Sequence, residues 1–477
     1  MELSSRLREI EHEIDSKIRG LEVWQAPRAE VLEHLVYTYR DLIEEAFMRL
    51  LHARTFGLPP DEAFYLENRG RNGMLWALKW ASEYCPESGK AHLRSPDDLM
   101  ELVRLGGVYE VFVDALKYAG RGLVTIHVEE SSKIITCYEG SPATAFDASI
   151  VDRERIVSPQ MPHVSLTEDG DRITTRWTAG DYRKITKELA QYGASEENAI
   201  VVDPEFALAA GMSNLSVPQP TVVWVNRPAD APGCHVFDDL VLPVVMDSKV
   251  KWQLVSLLEN PVIKVGERYC ALSSDLRAIS EIDDYMLRLA ARVDQRQYSL
   301  ASVRREERML AICRRALEQA SPPWAVEEQV RYKKPTQEAD ILAKRGADKI
   351  AIELKSTLRP ETPWEVFKRN QDLVKGVKQV KRLIDRSVAE RGFLVTDGYR
   401  GDYVCWAEAL ANEVPIGNLY DLDIIAEDPS GALRRLKDLV GIPTADIRIP
   451  EGLPDREENL FEWTLRLVDR KSPDHPG

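Results

Sequence analysis

The sequence predicts a multidomain α/β protein: a helical N-terminal region, a mixed α/β middle, and a C-terminal module ordered helix, three strands, helix, strand. Three observations carry this. Apolar residues recur at helical spacing through residues 1–120, and the period then shortens in residues 121–245. After residue 300, two long helical patterns enclose three short strand patterns, and a buried apolar run follows the second helix. A chain of 477 residues is expected to hold two or three domains, and 44% apolar residues suffice for their cores. The divisions are drawn at residues 1–120, 121–295, 296–450 and 451–477.

Residues 2–18, 28–56, 61–84 and 96–118 each carry helical apolar spacing. Ser95-Pro96 supplies an N-cap followed by a first-turn proline. Arg40 with Glu44, and Glu45 with Arg49, stand four apart as surface pairs. Arg69-Gly70-Arg71-Asn72-Gly73 is expected to interrupt the third helix, because the Lys-Ser/Thr of a phosphate loop is missing.

In the middle region, residues 123–128 and 133–138 read as a hairpin, and Arg172 to Trp177 alternate. Residues 199–203 and 221–225 are short buried runs, while 182–192 and 204–210 are helical. Asp203 before Pro204 reads as a helix cap, and His127 as a structural residue. Residues 246–300 read as a connector of helix, strand pair and helix, with helical patterns at 252–258 and 281–291, ending in the polar stretch Asp294-Gln295-Arg296-Gln297.

In the C-terminal module, helices are expected at 303–320 and 364–388, and strands at 325–332, 338–343, 349–356 and 391–397. A helix at 403–410, a turn and short extended run at 417–425 and a helix at 430–440 follow. Residues 457–468 are expected to form one short helix in a loose tail, with 471–477 disordered.

The candidate site lies in the hairpin of 338–356. Ala339, Ile341, Ile350, Ile352 and Leu354 share one face, and Asp340, Glu353 and Lys355 share the other. With Gly346-Ala347 at the turn, Asp340 stands opposite Glu353, and Ile341 opposite Ile352. Like charges directly across a rung are destabilising. A hard divalent cation with oxygen ligands, Mg²⁺ or Mn²⁺, removes the conflict. The alternative is a solvated hairpin face with a cross-strand salt bridge.

These residues, in this strand context, resemble the active-site signature of the PD-(D/E)xK nuclease superfamily, with Ala339 in place of the nominal proline. The resemblance covers residues 303–397, roughly a fifth of the chain. It implies a restriction-endonuclease-like αβββαβ core and metal-dependent hydrolysis of DNA phosphodiester bonds, in restriction, repair or anti-phage defence. It further implies that Asp340, Glu353 and the Leu354 carbonyl hold the metal, and that Lys355 orients water and offsets charge on the phosphate oxygens. Glu306, placed with Val303, Leu310, Cys313 and Leu317 on the apolar stripe of the first helix, would complete a second metal position, with Glu307 the lesser candidate. Pairing of Glu306 with Arg305 is the alternative. Gln379 on the following helix would hold the lysine or the substrate phosphate, with Gln371 its rival and an ordinary exposed glutamine the alternative.

Charge distribution points the same way. The chain carries −15 overall, yet residues 301–400 hold 22 Lys and Arg against 15 Asp and Glu. Lys333, Lys334, Lys375 and Lys378 are the candidate nucleic-acid contacts, with a solvated helix face as the alternative. Expected partners are DNA, with RNA left open, and a homo-oligomer or a regulatory protein, but no membrane. No apolar run is long enough to span a bilayer, and no signal-peptide pattern is present. The six cysteines are scattered with no CxxC pair, Cys313 reads as core, and Cys234-His235 is not taken as a dyad. A reducing, cytoplasmic setting is expected. Two other functions stay open: a catalytically silent nucleic-acid-binding or assembly protein, and an effector nuclease autoinhibited until a ligand or partner binds the N-terminal region.

Overall fold

The computed structural model describes residues 2–56, 61–89, 96–120, 124–139, 166–192, 199–201, 216–218, 220–243, 256–281, 283–332, 337–356, 358, 363–401, 403–440 and 456–468. The chain is a mixed α/β protein in two compact units. The first comprises Met1–Tyr138, Asp169–Tyr298 and Asp455–Val468, and the second comprises Glu139–Glu168, Ser299–Pro454 and Asp469–Gly477. Among the described residues, no helix is long and apolar enough to cross a membrane.

The first unit opens with α1 (Glu2–Arg19), α2 (Arg28–Phe56), α3 (Asp61–Tyr84) and α4 (Pro96–Ala119), as the apolar spacing predicts. The expected interruption at 69–73 does not occur: α3 runs straight through it. A Cβ at Gly73 would lie 1.9 Å from the Val103 carbonyl oxygen of α4, and one at Gly106 2.5 Å from the Gly73 carbonyl oxygen. These glycines let two helix backbones touch, which offsets the roughly 1 kcal/mol that a mid-helix glycine costs. Arg71 donates to the Tyr39 hydroxyl at 3.2 Å, and Tyr39 donates to buried Asp275 at 3.0 Å, so this stretch serves packing. On α2, Arg49 pairs with Glu45 at 2.7 Å, whereas Arg40 turns to Asp41.

The hairpin of β1 (Val124–Glu129) and β2 (Ile134–Glu139) follows, with His127 on its exposed side. Next come α5 (Ala179–Gln191), β3 (Ala199–Val201), β4 (Ser216–Pro218), β5 (Val222–Val225), α6 (Ala231–Leu240), β6 (Ile263–Val265) and β7 (Arg268–Leu272). The alternation at Arg172 to Trp177 yields a single bridge, Arg172 to Thr178, because Thr178 leaves the extended run to cap α5. The Cys234 thiol donates to the Pro228 carbonyl at 2.9 Å. Of the helix expected at 252–258, residues 256–258 are described, and they form a turn. The helix expected at 281–291 is α8 (Asp283–Val293), and a further helix that the spacing did not indicate, α7 (Ser273–Glu281), precedes it. Asp203 and the helix expected at 204–210 lie outside the described residues.

The division between units falls inside α9 (Gln295–Gln319). The second unit continues with β8 (Ala325–Tyr332), β9 (Gln337–Arg345), β10 (Asp348–Lys355), α10 (Pro363–Asp385) and β11 (Arg391–Thr396). It then adds α11 (Tyr403–Ala411), β12 (Ile416–Asn418), α12 (Leu422–Glu427) and α13 (Ala432–Val440). The five strands lie in the order β12-β11-β10-β9-β8. β8, β9 and β10 are antiparallel neighbours, while β10, β11 and β12 run parallel. The β9–β10 turn is centred on Gly346-Ala347, with Gly346 at φ +63°, the left-handed conformation that a first-position glycine gives a tight hairpin.

Both faces of this sheet are covered. On one, α10 rests closely: a Cβ at Gly392 of β11 would lie 2.0 Å from Val380, and one at Gly376 of α10 2.7 Å from Leu394. On the other, Ile341, Ile350, Ile352, Phe393 and Val395 enter a core shared with Met309, Cys313 and Leu317 of α9. The division of β10 into a core face and an uncovered face is therefore overturned: Ile350, Ala351, Ile352 and Glu353 are all buried.

Residues 457–468 form strands rather than a helix. β13 (Arg456–Leu460) and β14 (Trp463–Val468) make a hairpin that joins the first unit in the order β1-β2-β14-β13. Trp463 and Leu465 point inward and alternate with Thr464 and Arg466, and Phe461 takes φ +58° in the turn.

Candidate active site

The site is built at the open end of the β9–β10 ladder. Ile341 pairs with Ile352, as the turn dictates, and Asp340 and Glu353 come next beyond that rung. The Asp340 side chain replaces the missing ladder bond: its Oδ2 accepts from the Leu354 main-chain N–H at 2.7 Å. Glu353 is 5% exposed, and its Oε1 accepts from Lys355 Nζ at 2.8 Å. The two share a face because they are two apart on a strand. That face lies beneath α10, where a Cβ at Gly376 would meet Lys355 Cε at 3.4 Å.

Burial decides what kind of pair this is. A surface ion pair contributes about 0–1 kcal/mol and needs no cover. A buried carboxylate costs several kcal/mol unless a cation or hydrogen bonds compensate it. Glu353 is held under α10 with Lys355 as its cation, an arrangement unlike a solvated hairpin face.

α9 brings a second set of groups. Its buried line is Ala301, Arg305, Met309, Cys313 and Leu317, and Val303 is 52% exposed. The stripe expected to carry Glu306 therefore passes through Arg305, because the true helical repeat runs every fourth residue from Ala301. Arg305 does not pair with Glu306. It donates from Nη2 to Asp397 Oδ2 at 2.7 Å, with the side chains 7% and 1% exposed. The same Asp397 oxygen accepts from Ser356 Oγ at 2.7 Å.

Glu306 stands beside this pair on the exposed side of α9. Loss of surrounding water pushes its carboxyl above the ordinary range, the charge of Asp340 pushes it further, and Lys355 pulls it down. The helix thus brings Glu306 within electrostatic reach of Asp340 and Lys355. Glu307 is exposed. Cys313 is fully buried in the α9 core, as the sequence suggests, and its thiol is pushed up to about 12.

Gln379 is half-buried on α10, three residues beyond Gly376 and on the same side of the helix, while Gln371 is exposed. Lys375 and Lys378 are exposed, and each has an acidic neighbour: Asp372 at 3.3 Å and Glu408 at 3.5 Å. Lys333 and Lys334 lie outside the described residues.

Arg305, Ser356 and Asp397 are the residues that sequence reasoning missed. One signal was present: Asp397 follows a buried parallel strand, and ligand contacts gather at the carboxyl ends of such strands.

As a metal position the donor set is all oxygen: Asp340, Glu353 and the Leu354 carbonyl. Among the described residues no three His, Cys, Asp or Glu side chains come together to hold an ion. A pair of carboxylates still fits Mg²⁺ or Mn²⁺, because Mg²⁺ commonly binds through one or two carboxylates and keeps water and substrate phosphate on its other positions. It does not fit zinc, which takes nitrogen and sulfur ligands in closed sites. No family model, curated protein or solved structure matches the chain.

Proposed function

We propose that the second unit is a metal-dependent nuclease that hydrolyses phosphodiester bonds of DNA, on a restriction-endonuclease-like core of the PD-(D/E)xK kind. One observation carries the reading: Glu353, a buried carboxylate bonded to Lys355, sits one rung past Ile341–Ile352, where Asp340 closes the ladder. The sheet order and the flanking helices α9 and α10 give the αβββαβ sequence of elements that this family uses. DNA is the substrate class that the resemblance implies.

Asp340, Glu353 and the Leu354 carbonyl would hold Mg²⁺ or Mn²⁺. When bound, such an ion supplies Lewis-acid polarisation of a phosphate oxygen and makes water more acidic. Lys355 directs its ammonium at the reacting phosphate, orients the attacking water and offsets the charge that builds on the oxygens. Glu353 holds that ammonium in place through the bond at 2.8 Å. Glu306, with its raised carboxyl, accepts or gives a proton at the rim of the site. Gln379 contacts the lysine or the substrate phosphate from α10.

The test is incubation of the full chain with supercoiled plasmid and with linear single- and double-stranded DNA, in Mg²⁺ or Mn²⁺ and in EDTA. Cleavage that needs the metal supports the reading. Absence of cleavage on every substrate counts against it.

A further inference from the structure

The observation is a single carboxylate oxygen with two donors. Asp397 Oδ2 accepts from Arg305 Nη2 and from Ser356 Oγ, each at 2.7 Å. Arg305 immediately precedes Glu306 on α9, and Ser356 immediately follows Lys355 at the end of β10. β10 and β11 are still paired at Lys355–Thr396, so Ser356 and Asp397 are the first residues past the same rung. Ser356 is half-buried, and the Arg305 and Asp397 side chains are almost wholly enclosed.

We propose that Asp397 is a positioning residue for this site: its carboxylate ties the helix turn of Glu306 to the strand end of Lys355 and so fixes where the Lys355 ammonium stands against the reacting phosphate. The inference rests on the nuclease reading and deepens it, because it assigns a supporting layer that the short motif does not contain. Two physical points favour it. Lys355 is the last residue of β10, where a strand end frays unless its next residue is held. A charge-assisted hydrogen bond to a buried ionised carboxylate is about twice as strong as a neutral one.

The experiment compares wild type, Ser356→Ala, Ser356→Thr and the double variant Arg305→Met with Asp397→Leu. Ser356→Ala removes one arm and leaves the ion pair, so the fold is kept. Its kcat for plasmid cleavage is expected to fall about tenfold, with KM for DNA and calorimetric Mn²⁺ affinity within about twofold of wild type. Ser356→Thr is expected to restore kcat. The double variant replaces a buried pair by apolar groups and should unfold cooperatively, with kcat down about a hundredfold.

Wild-type kcat in Ser356→Ala or in the folded double variant overturns the inference and leaves the nuclease reading standing. Loss of Mn²⁺ affinity together with kcat also overturns it, because Asp397 would then act on the metal-holding carboxylates and not on Lys355. A wild type that cleaves nothing overturns the nuclease reading, and this inference with it.

Discussion

Asp340 Oδ2 accepts the main-chain N–H of Leu354 at 2.7 Å, so a side chain closes the ladder where the β9–β10 pairing stops. One carboxylate thus has a structural hydrogen bond and a proposed ligand role, and the two separate by substitution. Asp340→Asn keeps an acceptor for Leu354 and should melt close to wild type. Asp340→Ala leaves that N–H without it and should lose about 1–3 kcal/mol. Both should abolish metal-dependent cleavage, because neither supplies an anionic ligand. Thermal denaturation read beside plasmid cleavage checks this; equal stability of the two variants would contradict the structural half.

Lys355 neutralises a carboxylate that is 5% exposed. Lys355→Met should destabilise the second unit by about 3 kcal/mol, the lower end for breaking a buried pair, since the lysine side chain is itself 28% exposed. Adding Glu353→Gln should recover most of the stability and none of the activity. Urea denaturation of the single and double variants measures the recovery. Further loss in the double variant would mean that Glu353 has other obligatory partners.

The α3–α4 contact depends on Gly73, whose Cβ would fall 1.9 Å from the Val103 carbonyl oxygen. Gly73→Ala removes a poor helix former, yet it should destabilise the first unit by about 3 kcal/mol or more, because neither backbone can move without repacking the other. Circular dichroism melts decide it. A stabilised variant would mean that the helices separate at little cost.

Glu110 on α4 gives a pH prediction. Burial pushes its carboxyl up to about 7, the nearby Asp114 adds to this, and the Trp76 indole bond with Lys117 and Lys79 opposes it. A carboxyl whose folded value is raised favours the folded state while protonated. That contribution is fully present below the unfolded value of about 4.3 and is lost as pH rises through about 7. Glu110→Gln keeps an acceptor for Trp76 and cannot ionise. Its melting temperature should match wild type near pH 4, where Glu110 is protonated in both states, and exceed it by roughly 5–10 °C at pH 8. Parallel melting curves across that range would contradict the shift.

The hairpin of the second unit was legible because period-two alternation and a Gly346-Ala347 turn fix its register within a few residues. The side chains that support it were not. Arg305 meets Asp397 across 92 residues of chain, and a basic residue on an apolar stripe reads as the stripe's edge until its partner is placed. Gly73 was visible but ambiguous, since a glycine in a helix looks the same whether the helix breaks there or another backbone presses on it. Residues 457–468 were misread because Leu460, Trp463 and Leu467 satisfy helical spacing while Trp463, Leu465 and Leu467 satisfy strand spacing. Six residues cannot separate the two periods, and pairing of β14 with β2 settles the matter.

The central claim is tested most directly by single-turnover cleavage of supercoiled plasmid in Mg²⁺ by wild type, Asp340→Ala and Lys355→Ala, each shown to be folded. Metal-dependent cutting by wild type that both substitutions abolish is the predicted result. Cutting that survives both, at the wild-type rate, would place the chemistry elsewhere and contradict the account.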